Sequence, residues 1–425
     1  MGELTKMAQK AIEKGLCDHC LGRMVGRLGT GLSNDQRGLI LHQMIKEEGG
    51  GPGKDGGEEH FIALAGEPPT GNPNVGECSL CGGLFSRLDE FKEIVVGELD
   101  EYQYDNFLMG TRPDPEMSEK EEILWQELGT KSPEPLKIEI NREVGKRVAE
   151  HTGKDVEFDH PDLVAVLDVL YNFVEVSSNP VHFYGRYQKL ERGIPQTRWP
   201  CRRCKGKGCD RCNGTGKMYQ TSVEELVCKP LMEELGGDEH SFHGMGREDI
   251  DALMLGTGRP FVAEVKHPHK RHADLQKMEE LINNLGKDRI RITGLRESDK
   301  DEVRRIKDAA SDKSYRVRVK FEEEVGDEEL DKTLELAGVE LKQRTPQRVS
   351  HRRADKIRKR TIIDIKHHRQ GPDLVDFDIK AMSGTYIKEF CNGDDGRTKP
   401  SISEMIGIPC SVLHLDVLCI HDVEE

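Results

Sequence analysis

Apolar positions change period along this chain, and the changes mark its elements. Leu4, Met7, Ala8, Ala11 and Ile12 share one helical face, which predicts an amphipathic helix running straight into Cys17. Ser118 and Glu121 stand at capping-box spacing and predict a helix from there through Leu128, stopped by Gly129. Alternation in 137–141 (KIEIN) and the apolar run 163–170 (LVAVLDVL) predict strands on either side of a helix near 142–151. Ser222 and Glu225 form a second capping box and open another helix. Beyond it FVAEVK (261–266) and YRVRVK (315–320) predict strands, and 273–285 predicts a helix. The fold class is α/β (α+β), with a small α/β portion first and a mixed-sheet portion of 219–425 last. No repeat occurs at any fixed period. The segment 49–57 (GGGPGKDGG) reads as a loop, and without G-x-x-x-x-G-K-[ST] spacing it is no P-loop.

A length of 425 residues suggests two or three domains, each able to bury a core. Hydrophobic residues are 35% and charged residues 33%, as expected for a heavily charged surface. No apolar run approaches the ~18 residues of a membrane span, and the start of the chain lacks a signal-peptide core. A cytoplasmic protein without a membrane partner is expected. The net charge of −15 argues against a nucleic-acid partner only if charge is spread evenly, and it is not. Lys342, Arg344, Arg348, Arg352, Arg353, Lys356, Arg358, Lys359 and Arg360 face a single acid, Asp355, whereas 321–331 is strongly acidic. The plain reading of that basic run is a solvated helix face; a phosphate-contacting patch is favoured.

Twelve cysteines in a reducing compartment read as metal ligands or thiols, not disulfides. Cys17, Cys20, Cys78 and Cys81 make two Cys-x-x-Cys knuckles, each able to supply half of a tetrahedral zinc site. Gly82 and Gly83 suit the turn after the second. Cys201, Cys204, Cys209 and Cys212 lie within twelve residues, each half reading C-x-x-C-x-G-x-G. That is the repeat of the DnaJ chaperone zinc domain, but four repeats and a His-Pro-Asp triplet would be needed for a chaperone. A second structural zinc is the expectation, with Gly206 and Gly208 permitting the reversal. Cys228, Cys391, Cys410 and Cys419 are read as reduced thiols.

Two short strings remain, Gly246-Arg247-Glu248-Asp249 and Gly384-Thr385-Tyr386-Ile387-Lys388. In this order they resemble active-site motifs of pseudouridine synthases. The longer stretches GREDIDALMLGTGRPF (246–261), QRTPQRVSHRRADK (343–356) and GTYIKEFCNGDDGRTKP (384–400) resemble the archaeal tRNA pseudouridine synthases of the Pus-ten family, over nearly the whole chain. The resemblance implies a tRNA T-loop substrate, with positions 54 and 55 as the associated uridines. It makes Asp249 the reacting carboxylate, nucleophile or base, ahead of its neighbour Asp251. Lys388 would pair with Asp249 and hold it ionised. Tyr315 would stack on the target base, Ile387 pack beneath it, and Tyr386 and Arg247 contact the substrate; a strand-borne tyrosine such as Tyr315 is otherwise core packing.

By the same resemblance the stretch ending in NPVHFYGRY (179–187) is similar to the THUMP RNA-binding domain. The expected division is 1–58 with 78–81 as a zinc-knuckle region, 59–187 as the THUMP-like domain, 188–218 as a cysteine-rich insertion and 219–425 as the catalytic domain. The implied protein is a monomer with structural zinc and no organic cofactor. The rival is a non-catalytic zinc-dependent tRNA-binding protein, which has no use for a placed aspartate. A THUMP-linked methyltransferase is disfavoured because no glycine-rich nucleotide loop follows a strand.

Overall fold

The computed structural model describes residues 2–48, 57–67, 71–352 and 354–422, in two units that divide after Asn179. The glycine-rich segment, apart from Gly57, and Arg353 lie outside the described residues.

The first unit opens with helices α1 (Glu3–Glu13), α2 (Asp18–Arg23), α3 (Asn34–Glu48), α4 (Glu58–Ala65) and α5 (Leu88–Leu99). Strand β1 (Asn106–Arg112) follows, then α6 (Pro115–Leu128), α7 (Leu136–Thr152), β2 (Asp155–Val156), β3 (Leu163–Asp168) and β4 (Phe173–Ser178). The sheet order is β2-β1-β3-β4, with β1 parallel to both neighbours and β4 antiparallel.

Two sequence expectations fail here. KIEIN is the first turn and a half of α7, not a strand, because Leu136, Ile140, Val144 and Val148 recur every four residues and all are buried. The helix α6 starts earlier than its expected box: the Asp114 carboxylate accepts from the Glu116 amide at 2.9 Å, Pro115 takes the first position, and Ser118 lies inside the first turns.

The centre of this unit is both tight and charged. A Cβ on Gly22 would come within 1.8 Å of the Asn34 carbonyl oxygen, and one on Gly38 within 2.2 Å of that of Asp18, so α2 and α3 cross on bare backbone. Arg23 beside this crossing is fully buried. It pairs with Glu121, lies 3.1 Å from Glu139 and donates to Cys20 Sγ at 3.2 Å. His19 Nδ1 lies 2.7 Å from Glu139, and its ring stacks on Phe85 at 4.2 Å. Burial opposes a charge on His19, but Glu139 outweighs it and holds the imidazole above its ordinary pKa.

The second unit comprises β5 (Val181–Lys189), α8 (Val223–Leu235), β6 (Glu239–Gly244), β7 (Leu253–Lys266), α9 (Leu275–Gly286) and β8 (Ile290–Ser298). It continues through α10 (Lys300–Asp308), β9 (Asp312–Phe321), α11 (Asp327–Lys332), β10 (Glu340–Arg344), β11 (Ile357–Arg369) and β12 (Leu374–Ala381). It ends with α12 (Ile387–Asn392), β13 (Thr398–Lys399), α13 (Ile402–Ile406) and β14 (Cys410–His421). Ser222 caps α8 as its spacing predicts, accepting from the Glu225 amide at 3.2 Å. NPVHFYGRY supplies β5, which pairs with β7 and β8, so it belongs to this unit and not to the four-stranded sheet.

One mixed ten-stranded sheet results, ordered β13-β10-β11-β12-β9-β14-β7-β5-β8, with β6 also paired to β7. Only the β14–β7 contact is parallel among the described pairings of this sheet. Among the described residues no helix is long and apolar enough to cross a membrane.

Replacing Arg23 by Met should cost the first unit about 3–5 kcal/mol, since it leaves buried Glu121 without its cation and Glu139 with His19 alone. Hydrogen exchange should accelerate in peptides from 18–48 and stay unchanged in peptides from 253–266. Equal protection in both would show the cation to be dispensable.

Candidate active site

Strand β7 changes partner along one edge. Its start, Leu253 and Met254, pairs with β14, and its end, 261–266, pairs with β6. The loop 245–252, which joins β6 to β7, leaves the sheet between these two pairings and carries the Gly-Arg-Glu-Asp string. Gly246 turns it with φ +76°, a left-handed conformation that strains any other residue, and a Cβ there would lie 3.2 Å from Arg259 Nη1.

Asp249 points from this loop towards two cations from distant parts of the chain. Lys388, in the first turn of α12, places Nζ 3.3 Å from Asp249 Oδ2. Arg348, on the 3₁₀ turn 347–352, places Nη1 at the same 3.3 Å and donates to buried Glu389 at 2.6 Å. Burial opposes the Arg348 charge, but Glu389 and Asp249 outweigh it. Lys388 also reaches Asp251 at 3.0 Å. Burial pushes the Asp251 carboxyl up, yet Lys388 brings it below the usual aspartate range. The Asp249 side chain stays 37% exposed, which leaves it open to a ligand. A carboxylate in contact with two cations and accessible is thus the chemical content of the site.

The motif 384–388 is itself braced by Gln343. Its side-chain amide accepts from the Tyr386 N–H at 2.9 Å and donates to the Tyr386 carbonyl at 3.0 Å. Ile387 is buried at the start of α12, and Tyr386 is half-buried. Tyr315 lies in β9 between Ile379 and Val417, also buried, and burial pushes its phenol up to about 12. The Arg247 guanidinium lies over the Trp199 ring, 5.4 Å from its centroid. Trp199 and Met218 close the base of the cysteine-rich insertion through a 2.9 Å backbone bond, placing that insertion in the second unit beside the loop.

Sequence reasoning assigned Arg348 to RNA phosphate, whereas here it is a partner of Asp249. The basic run is no helix face either. Its described residues lie on β10, β11 and the segment between them, which includes the 3₁₀ turn 347–352; Asp355 holds Arg344 at 2.5 Å and Glu340 holds Lys359 at 3.0 Å. Gln343 and Glu389 carried no signal beyond the family-like strings containing them.

Both cysteine tetrads converge. In each, the four sulfurs lie within 4.8 Å of one another and could hold a metal ion. A tetrahedral site with ~2.3 Å bonds needs sulfurs about 3.8 Å apart. The sulfurs lie 3.7 Å apart for Cys17–Cys81, 3.9 Å for Cys201–Cys209 and 3.8 Å for Cys204–Cys212. Backbone amides aim at sulfur in both, from Cys17 to Cys78 at 3.3 Å and from Gly208 to Cys204 at 3.2 Å.

Residues 182–421 match the family model described as Pus10, C-terminal, and 91–168 match that of the Pus10 THUMP domain, archaeal. The tRNA pseudouridine synthase Pus10 of Methanothrix thermoacetophila is 38% identical, across 98% of this chain and 94% of its own. That of Methanopyrus kandleri is 40% identical, across 95% and 94%. That of Methanothermobacter marburgensis is 41% identical, again across 95% and 94%. With the motif residues gathered round Asp249 and relatives matched over nearly their full length, the chain belongs to the archaeal Pus10 family of tRNA pseudouridine synthases, which are isomerases.

Proposed function

We propose that this enzyme converts uridine to pseudouridine in the T-loop of tRNA, at position 54, position 55 or both. The observation that carries the reading is the exposed Asp249 carboxylate held between Lys388 and Arg348. The reaction breaks the ribose–N1 bond, turns the uracil and rejoins it through C5. The C5 proton leaves and N1 gains one, so atoms balance without an organic cofactor. Asp249 would act at the sugar, as nucleophile or base, with its two cations fixing the direction of the carboxylate. Tyr315, Tyr386, Ile387 and Arg247 are proposed to border the base and its neighbours, as the family-like strings imply. The target uridine must leave its stack to reach the carboxylate. The first unit, with its THUMP match, is proposed to hold tRNA.

Zinc suits both tetrads, because four thiolates at tetrahedral spacing favour it over harder cations. Such an ion would tie each chain segment together and take no part in the isomerisation.

In Asp249→Asn, turnover of transcript tRNA should fall at least about 1,000-fold, a loss of ~4 kcal/mol in transition-state stabilisation. The Kd for tRNA should change little, since affinity comes mainly from cations at phosphate. Asp251→Asn should keep substantial turnover. The assignment fails if Asp249→Asn turns over normally, or if Asp251→Asn alone is inactive.

Elemental analysis should return two zinc ions per chain, falling to one in either Cys17→Ser or Cys204→Ser. Loss at Cys17 should also unfold much of the first unit, structural zinc contributing on the order of 10 kcal/mol in small modules. A folded wild-type protein free of zinc would refute this reading.

A further inference from the structure

The backbone that carries Asp249 is held by buried side chains, with no ladder through the loop. Strand alternation in β5 puts Lys189 on the same face as Phe183 and Tyr187, and no part of Lys189 is exposed. Its Nζ donates to the carbonyl oxygens of Ile194 at 2.9 Å, Asp249 at 3.1 Å and Ile250 at 3.2 Å. All three ammonium hydrogens are used, and the Glu248 carboxylate lies 3.7 Å away.

Glu248 is clamped in turn. It accepts from the Tyr187 hydroxyl at 2.8 Å and from Arg259 Nε at 2.9 Å. Arg259 also donates to the Met245 carbonyl at 2.6 Å, and Gln196 donates to the Gly246 carbonyl at 3.0 Å. The loop carbonyls at 245, 246, 249 and 250 are therefore each fixed by a buried side chain.

Folding alone does not call for this arrangement. Two cations, Lys189 and Arg259, share one anion, Glu248, and burying an ammonium costs several kcal/mol that an apolar side chain of similar volume would avoid. Desolvation accordingly lowers the Lys189 pKa, against the pull of Glu248. What the ammonium supplies, and no apolar residue can, is two directed donors to the Asp249 and Ile250 carbonyls and a third that ties them to the Ile194 carbonyl.

We infer that Lys189 is a positioning residue for the isomerisation: its ammonium fixes the Asp249 backbone so that the carboxylate meets Lys388 and Arg348 before substrate arrives. This rests on Asp249 being the reacting carboxylate. Removing the charge should spare the fold, because Lys189→Met leaves Glu248 and Arg259 as a matched pair. The Asp249 and Ile250 carbonyls would also keep the Ala252 and Gly193 amides, at 3.1 and 2.9 Å.

The test is single-turnover isomerisation of transcript tRNA by the full chain, with the tRNA Kd and thermal unfolding measured on the same preparations. Lys189→Met should be slower by about 100-fold, the scale for a reacting group displaced by ~1 Å, with Kd within about twofold of wild type. Tyr187→Phe, which keeps the ring and deletes one donor to Glu248, should lose about tenfold in rate, again with Kd unchanged. A Lys189→Met rate within about threefold of wild type overturns the inference, as does a rate and affinity that fall together in step with the unfolded fraction. If Lys189→Met does not fold, the Tyr187→Phe rate decides. Asp249→Asn run alongside separates the two claims: turnover in it removes the proposed function, whereas its inactivity with wild-type rates in the other two removes only the positioning role.

Discussion

A carboxylate that is partly in water gains little from one nearby cation, because solvent screens the pair and each side chain must give up freedom to form it. Asp249 has two, both at 3.3 Å, and the balance changes only if all three backbones are already fixed. The second unit meets that constraint three times over. Gln343 holds the turn before Lys388, buried Glu389 holds Arg348, and the loop of Asp249 rests on buried polar groups. Ordering entropy is lost during folding, so little remains to be lost when RNA binds.

The position of the loop follows from the sheet. A strand edge served by one neighbour throughout would leave no gap, but β7 is served by β14 at one end and β6 at the other. Backbone groups freed between them are taken up by side chains, which is why charged residues such as Arg259 and Lys189 are found among the most buried positions of the unit.

Elements with regular periods and local caps were legible in the sequence. Ser222 opens α8, Gly129 ends α6 in the left-handed region, and FVAEVK lies in β7. KIEIN misled because Glu139 turns inward to Arg23 and His19, so the alternation of charge and isoleucine did not follow solvent exposure. The division after Asn179 was hidden as well: β5 is contiguous in sequence with the first unit yet pairs only within the second. At the site, motif strings singled out Asp249 and Lys388, and the structure brings these two side chains to 3.3 Å. Lys189, Glu248, Arg259 and Gln196 were not found, because a buried charge with non-local partners looks in sequence like any surface charge. Arg348 was noticed for its charge, but its contacts with Asp249 and Glu389 were not foreseen, for the same reason.

The two cysteine tetrads differ most in how much chain they enclose. Cys201 to Cys212 spans twelve residues, whereas Cys17 to Cys81 spans 65. Closing the longer ring costs about 1.5 kcal/mol more in chain entropy on a simple polymer estimate. The shorter ring also has its reversals built in, with Gly206, Gly208 and Gly214 all at positive φ. Any ion held by the short tetrad can therefore be captured by chain that is otherwise unfolded, as soon as those residues leave the ribosome. Any ion held by the long one must wait for the 78–81 knuckle to dock on the start of α2. Metal content at Cys17–Cys81 is in that sense a record of completed folding, and at Cys201–Cys212 a record only of supply.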